Sequence, residues 1–383
     1  MKNILTLLSL FVFAILTNAQ TTLIDTIISG GIPRTYRLYV PAIYNASNPA
    51  PLIINMHGYT SNATQQQSYT NFKPIADTAG FIMVYPQGTV DNNGYTFWNA
   101  GIGNGGVDDI GFLSHLIDSL KSKYNINLNR VYSTGFSMGG FMSHILAIAL
   151  SDRIAAIASV SGTFFTNQYP YTATQAVPVM QIHGTADGTV PFTGGSGMVA
   201  VDNTVKFWVN SDHCDTTPVF TAVPDVNAGD GCTAEHYVYN NGDNGSTVEF
   251  YKIVGGDHTW PGAYNIGKVT NQDMSASKEI WRFFNHYSLT TAIKENDNNS
   301  GNTILIYPNP AAENMTVQFE NRNYHSADIT VYNAIGQRVI TQSCINGMPS
   351  VSLNTASLPA GIYSMQVWFD KKKSSYKKLI IAK

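Results

Sequence analysis

The chain of 383 residues carries 22 basic and 25 acidic side chains, a formal net charge of −3, and charged residues make up only 12%. With no basic stripe interleaved with aromatics, nucleic-acid binding has no electrostatic footprint. Apolar residues make up 44%, enough at this length for two or three domains, and the neutral polar remainder suits an exported protein that meets carbohydrate or polymer.

The N-terminus reads as a secretory signal peptide over residues 1–19. Lys2 supplies the positive charge, Ile4 to Leu16 the apolar stretch, and Thr17-Asn18-Ala19 a small-residue cleavage site before Gln20. The apolar stretch is too short to span a bilayer, and no later stretch is long and apolar enough to do so. Residues 22–28 and 34–40 predict an antiparallel hairpin around Gly30-Gly31. Pro51 to Met56 is a continuous apolar run, expected as a strand buried on both faces, and it ends in His57-Gly58-Tyr59-Thr60. A polar loop, a helix over 71–78 and a strand over 81–85 follow. A loop rich in Gly and Asn over 89–106 then carries Trp98.

Asp108-Asp109 opens a helix to about residue 124, with acidic side chains at its positive end. The segment from Arg130 to Met142 predicts a strand, a sharp turn and a helix to about residue 150. Strands follow over 155–160, 177–182 and 247–254. Between them lie an aromatic loop over 163–174 and a helix over 199–210, and a helix over 275–287 closes the region. Strands alternating with helices imply an α/β fold, a mostly parallel sheet with helices on both faces. Sites in such sheets form at the C-terminal ends of the strands. Residues 20–288 are therefore expected as one catalytic domain and 289–302 as a linker. Residues 303–383, a series of short strands, are expected as a small all-β sandwich.

At the predicted turn stands Gly135-Phe136-Ser137-Met138-Gly139, a G-x-S-x-G. A serine at a strand-to-helix corner projects its hydroxyl above the sheet, and the glycines leave room for it. Serine needs a base, and the base an orienting acid, which in this chain order follow as Asp or Glu and then His. Asp187, in the turn after a buried strand, and His258, in the Gly-rich turn after the last strand, fit best. Asp202, Asp225, Asp230 and Asp257 are weaker acids for this role, and His183, His213 and His236 weaker bases. His183 is expected to brace its own turn. His57 precedes the serine and is expected to prop its own loop. Met138 N–H and Tyr59 N–H are the expected oxyanion donors, with Thr60 as the second choice to Tyr59. Trp98, Phe164 and Trp260, with Phe165, Tyr169 and Tyr171, sit on loops at the same rim, where aromatics stack on sugar or aryl groups or pack the loops. Cys214 and Cys232 close a short loop-rich segment and are expected as a disulfide rather than two free thiols. Cys344 is left over. No Cys/His spacing suggests a metal site.

Residues from about 25 to 288 resemble the secreted esterases of the polyhydroxybutyrate-depolymerase and feruloyl-esterase group, related to carbohydrate esterase family 1. The resemblance rests on Met56-His57-Gly58, Tyr85-Pro86-Gln87-Gly88, Trp98-Asn99, Val107 to Phe112, Gly135 to Gly140, His183 to Asp187 and Gly256 to Gly262. It implies an α/β-hydrolase fold and carries Ser137, Asp187 and His258 over as the triad. It also supports the Cys214–Cys232 bond. The group often has a cysteine after the early His-Gly and a glutamine two places on, where this chain has Tyr59 and Ser61. Residues from about 304 to 383 resemble the C-terminal sorting domain of the type IX secretion system, through Tyr307-Pro308-Asn309-Pro310, Val331 to Gly336, Leu358 to Tyr363 and the closing Lys378 to Lys383. A carbohydrate-binding module is the alternative for this part. The implied protein is a secreted serine esterase without metal or organic cofactor. Its expected substrates are feruloyl or acetyl esters of plant cell-wall polysaccharide (xylan). The alternatives are a polyhydroxyalkanoate depolymerase and a non-catalytic surface binding protein.

Overall fold

The computed structural model describes residues 21–101, 106–167, 171, 173, 175–289, 304–319, 324–333, 337–345, 347–370 and 373–382. The expected signal peptide, residues 290–302 of the expected linker and Tyr169 lie outside the described residues. Two compact units emerge, Met1–Thr290 and Thr291–Lys383.

In the first unit, β1 (Thr21–Ser29) and β2 (Ile32–Val40) form the antiparallel hairpin. Gly30 and Gly31 turn at positive φ, 57° and 77°, where a residue without Cβ meets no steric cost. Then come β3 (Ala50–Met56), α1 (Ala63–Thr70), α2 (Lys73–Ala79) and β4 (Ile82–Pro86). A two-residue pair, β5 (Thr89–Val90) and β6 (Thr96–Phe97), lies inside the Gly/Asn-rich loop. After it come α3 (Asp109–Lys123), β7 (Ile126–Phe136), α4 (Met138–Ala149), β8 (Ala156–Val160) and β9 (Val179–Gly184). The unit continues with α5 (Val201–Ser211), β10 (Val219–Ala222), β11 (Thr233–Tyr239), β12 (Val248–Val254) and α6 (Ala276–Phe284).

The sheet has the order β1-β2-β4-β3-β7-β8-β9-β12-β11-β10. Strands β4, β3, β7, β8, β9 and β12 run parallel. Antiparallel strands extend it at both edges, β1 and β2 at one, β11 and β10 at the other. The second antiparallel edge was not foreseen from the sequence. Successive side chains of a strand point to opposite faces. Leu52, Ile54 and Met56 pack with Phe112, Leu146 and Trp208 of α3, α4 and α5. Ile53 and Tyr132 pack with Phe72, Ile280 and Phe283 beside α2 and α6. Helices therefore cover both faces, as expected for an α/β-hydrolase.

The expected disulfide does not form. Cys214 and Cys232 are free and buried. Cys214 packs with Val209, Val248 and Phe250 on one face of the sheet, whereas Cys232 packs with Ala234, Tyr251 and Ile253 on the other. A disulfide needs Cβ atoms within about 4.5 Å, which a sheet between them prevents.

The second unit has a three-stranded sheet of β13 (Ile304–Tyr307), β14 (Asn314–Phe319) and β17 (Ser350–Asn354). Its other sheet is four-stranded, with β15 (Ser326–Tyr332), β16 (Arg338–Ile345), β18 (Gly361–Phe369) and β19 (Lys373–Ile381). Val317 and Leu353 of the first sheet meet Ile329, Val367 and Leu379 of the second in one core. This is the expected small sandwich, with Cys344 free and buried inside it.

Candidate active site

β7 delivers the chain to Ser137, which takes φ 55° and ψ −119° before α4 begins at Met138. For a residue other than glycine this is sparsely populated backbone, costing about 1–3 kcal/mol. The flanking glycines make it sterically feasible. A Cβ on Gly135 would lie 2.4 Å from Gly139 C, and one on Gly139 would lie 2.1 Å from Met56 O. The corner thus locks against the end of β3, and Ser137 faces a cleft of about 460 Å³.

His258, carried by the turn after β12, lines the same cleft. Its Nδ1 lies 2.7 Å from Asp187 Oδ2, so Nδ1 donates and Nε2 is left with an open lone pair. Asp187 is buried, and its Oδ1 accepts N–H bonds from Thr189 (2.9 Å) and Val190 (2.8 Å). Burial alone would raise this carboxyl, but hydrogen bonds from His183 and His258 outweigh it and hold it below the usual carboxylate range. Among the described residues no hydrogen bond joins Ser137 Oγ to His258. Such bonds commonly tighten only when substrate binds.

The loop after β3 abuts the serine: a Cβ on Gly58 would lie 3.2 Å from Ser137 Cβ. Tyr59 lines the cleft, whereas Thr60 N–H donates to Thr96 O at 2.9 Å and so is committed elsewhere. Met138 N–H, at the first position of α4, has no acceptor within the helix. His57 props this loop. Gly88 N–H donates to its Nε2 at 3.0 Å, so Nδ1 carries the proton and donates to Gly58 O at 2.7 Å. Burial lowers its pKa to about 4, which keeps it neutral.

The three aromatics expected at the rim are a correction. Trp98 is 0% exposed, Phe164 1% and Trp260 1%, and none lines the cleft. Trp98 Nε1 donates to His57 O at 2.9 Å, buttressing the loop that faces Ser137. Trp260 N–H donates to Tyr69 Oη at 3.1 Å and its Nε1 to Ser277 Oγ at 3.0 Å, pinning the His258 turn to α1 and α6. Phe164 packs against His144, Phe207 and Trp208. Indole N–H groups find partners inside the fold, and these large rings supply core area.

The cleft is instead lined by Gln65, Gln66, Tyr69, Phe136, Tyr264 and Ile266, besides the residues above. Sequence reasoning missed these. Tyr264 and Ile266, both exposed, were signalled only by standing just beyond Trp260-Pro261-Gly262. It also missed a buried ion pair. Arg34 meets Asp109 at 2.6 Å, and Asp109 Oδ2 accepts Asn99 N–H at 2.7 Å. This pair ties the loop after Trp98 to β2 and α3. Among the rival residues, Asp257 caps its own turn through His258 N–H (2.6 Å) and pairs with Lys268 (3.0 Å). His213 pairs with Asp243 and His236 with Glu249; neither lines the cleft.

Residues 34–229, about half of the chain, match the family model described as esterase PHB depolymerase. The chain belongs to this family. Residues 305–382 match the secretion system C-terminal sorting domain, which marks this family member for export or display at the cell surface. Its relatives include a bifunctional acetylxylan esterase/xylanase of Neocallimastix patriciarum, 28% identical over 73% of the chain and 37% of that protein. The chain thus spans little more than a third of that relative. Feruloyl esterase D of Neurospora crassa is 28% identical over 71% of the chain and 88% of the relative. Poly(3-hydroxyalkanoate) depolymerase C of Paucimonas lemoignei is 26% identical over 61% and 63%. An acetyl xylan esterase from Aspergillus awamori shares the fold, with a TM-score of 0.51, 14% identity, and coverage of 68% of this chain and 98% of that one. None of the described helices is long and apolar enough to cross a membrane. Among the described residues no group of three or more His, Cys, Asp and Glu is arranged to hold a metal ion.

Proposed function

We propose that this protein is a secreted serine carboxylic-ester hydrolase that works through an acyl-enzyme on Ser137. The observation that carries the reading is the hydrogen bond from His258 Nδ1 to Asp187, which aims a free Nε2 into the cleft that holds the strained Ser137. His258 takes the Ser137 proton as the hydroxyl attacks the ester carbonyl. Asp187, already ionised, stabilises the imidazolium. Met138 and Tyr59 N–H groups receive the oxyanion. The alcohol leaves with the proton from His258, and water activated by His258 then releases the acid. No step needs a metal or an organic cofactor.

For the substrate we favour feruloyl or acetyl esters on plant cell-wall polysaccharide. The relatives named as acetylxylan and feruloyl esterases support this, and the ring-lined wall of Tyr69, Phe136 and Tyr264 suits an aryl acyl group. The second reading, a polyhydroxyalkanoate depolymerase, draws on the depolymerase relative. A non-catalytic binding protein would have no use for a strained serine beside an oriented histidine. Residues 20–288 then form the catalytic part, and residues 303–383 direct export through the type IX secretion machinery. Rates on methyl ferulate, acetylated xylan and hydroxybutyrate oligomers, measured side by side, test the substrate class. The proposal expects the first two to exceed the third. A Ser137→Ala variant that kept full activity on nitrophenyl acetate would end the mechanism.

A further inference from the structure

A run of buried polar groups leads from α5 through the elbow helix to Asp187. Trp208 Nε1 donates to His144 Nδ1 at 3.0 Å. His144 Nε2 lies 3.1 Å from Gln181 Oε1. Gln181 Nε2 lies 2.9 Å from Gly162 O and 3.1 Å from His183 Nδ1. His183 Nε2 lies 2.9 Å from Val190 O and 3.4 Å from Asp187 Oδ2. Trp208, His144, Gln181 and His183 are each at most 1% exposed.

The donor inventory leaves one assignment for every proton. An indole N–H only donates, so His144 Nδ1 accepts. Burial lowers the His144 pKa to about 4, so this ring is neutral and its proton sits on Nε2. That proton needs an acceptor, which makes the facing Gln181 atom Oε1. The Gln181 amide then points to Gly162 O, which can only accept, and to His183 Nδ1. With Nδ1 accepting, His183 carries its proton on Nε2, donates it to Val190 O and holds it next to Asp187 Oδ2 at 3.4 Å.

We propose that His183 is a positioning residue for the catalytic pair. Its Nε2–H, bonded to Val190 O, lies 3.4 Å from Asp187 Oδ2 and sets a positive dipole against that oxygen beside the His258 Nδ1–H bond, and Trp208, His144 and Gln181 fix the tautomer that places it. The Asp187 carboxylate is thereby held from both sides. Thr189 and Val190 N–H groups grip Oδ1, and the two histidines face Oδ2. The other charge that Asp187 faces is Asp257, which is neutralised by Lys268. Because His144 stands on α4, the same run ties the helix that begins after Ser137 to the turn that carries the acid.

This inference rests on the esterase reading, which wild-type hydrolysis and fluorophosphonate labelling of Ser137 test by themselves. The inference is tested only by differences among variants in nitrophenyl acetate hydrolysis followed from pH 5 to 9. His183→Leu removes the donor and is expected to lower kcat roughly 10- to 100-fold with KM nearly unchanged. It should also move the acid limb of kcat/KM to higher pH, because an Asp187 charge no longer shared holds the catalytic proton harder. His183→Gln restores an amide N–H near the place of Nε2 and should recover most of both effects. Equal kcat and equal acid limbs in the two variants, with cooperative melting in each, would overturn the proposal. Should His183→Leu not fold, Gln181→Met decides. It frees His183 to change tautomer, and the acid limb must move the same way by a smaller amount. A lower melting temperature with an unmoved limb would show Gln181 to be structural only.

Discussion

Gly139 and Gly58 both face the serine corner, and their surroundings predict different tolerances. A Cβ on Gly139 would sit 2.1 Å from Met56 O, which is backbone and cannot swing aside. Gly139→Ala is therefore expected to push the corner off β3, lowering activity on nitrophenyl acetate by at least about 100-fold and lowering the melting temperature. A Cβ on Gly58 meets Ser137 Cβ at 3.2 Å, a milder overlap, so Gly58→Ala should lower the melting temperature less than Gly139→Ala does while it lowers kcat. Buried titrating groups add a pH signature. Burial raises the Asp212 carboxyl to about 8. Between its ordinary value of 3.8 and pH 8 the unfolded chain has released this proton and the folded chain has not, so stability falls as pH rises. Asp212→Asn should accordingly stabilise the protein more at pH 8 than at pH 5, measured as the difference in melting temperature. His57 and His144 work in the opposite direction. Their folded pKa values are lowered from 6.5 to about 4, so their contribution is full above pH 6.5 and is lost towards pH 4. Two such groups against one give a melting temperature that peaks near pH 6.5, and a monotonic rise from pH 5 to 8 would contradict this.

The elements that position the site differ in how plainly the sequence announces them. The strand ends are legible because short stretches rich in β-branched and aromatic residues stop at Gly-rich turns, three of which carry Ser137, Asp187 and His258. Helix α1 is not legible. Its sequence, Ala-Thr-Gln-Gln-Gln-Ser-Tyr-Thr, has almost no apolar face, yet Gln66, Tyr69 and Thr70 are buried, with Gln66 bonded to Asn55 at 2.7 Å. Polar packing of this kind leaves no periodicity to read. Strands β10 and β11 are likewise hidden. β10 is exposed throughout and lies in the stretch read as a cysteine-bounded loop, and β11 begins directly after that stretch, at Thr233. Aromatics on loops are ambiguous in a different way, since position alone does not say whether a ring turns inward. Trp98 and Trp260 turn inward because their indole N–H groups find His57 O and Ser277 Oγ. The Arg34–Asp109 pair holds the Trp98 loop, so Arg34→Met should cost about 3–5 kcal/mol by leaving a buried carboxylate unpaired. Denaturant unfolding measures the loss. Double replacement by apolar residues should recover much of it.

At the scale of the whole molecule, each of the two units closes its own core. The two faces of the large sheet supply one pair of clusters, and the seven-stranded sandwich supplies a separate one. Among the described residues, the cleft is lined by residues of the first unit. A chain ending at Leu289 is therefore expected to hydrolyse nitrophenyl acetate within about twofold of the full-length rate while losing the segment that matches the sorting domain. In the proposed mechanism one serine, strained at the end of β7 and served by His258, forms the acyl-enzyme. The most direct measurement of this is peptide mass spectrometry after reaction of the active protein with a fluorophosphonate, compared with the His258→Ala variant. One phosphonyl group on Ser137 is expected in the wild-type protein, with a labelling rate reduced by orders of magnitude in the variant. Label on another residue, or unlabelled protein that still hydrolyses the ester, would contradict the mechanism.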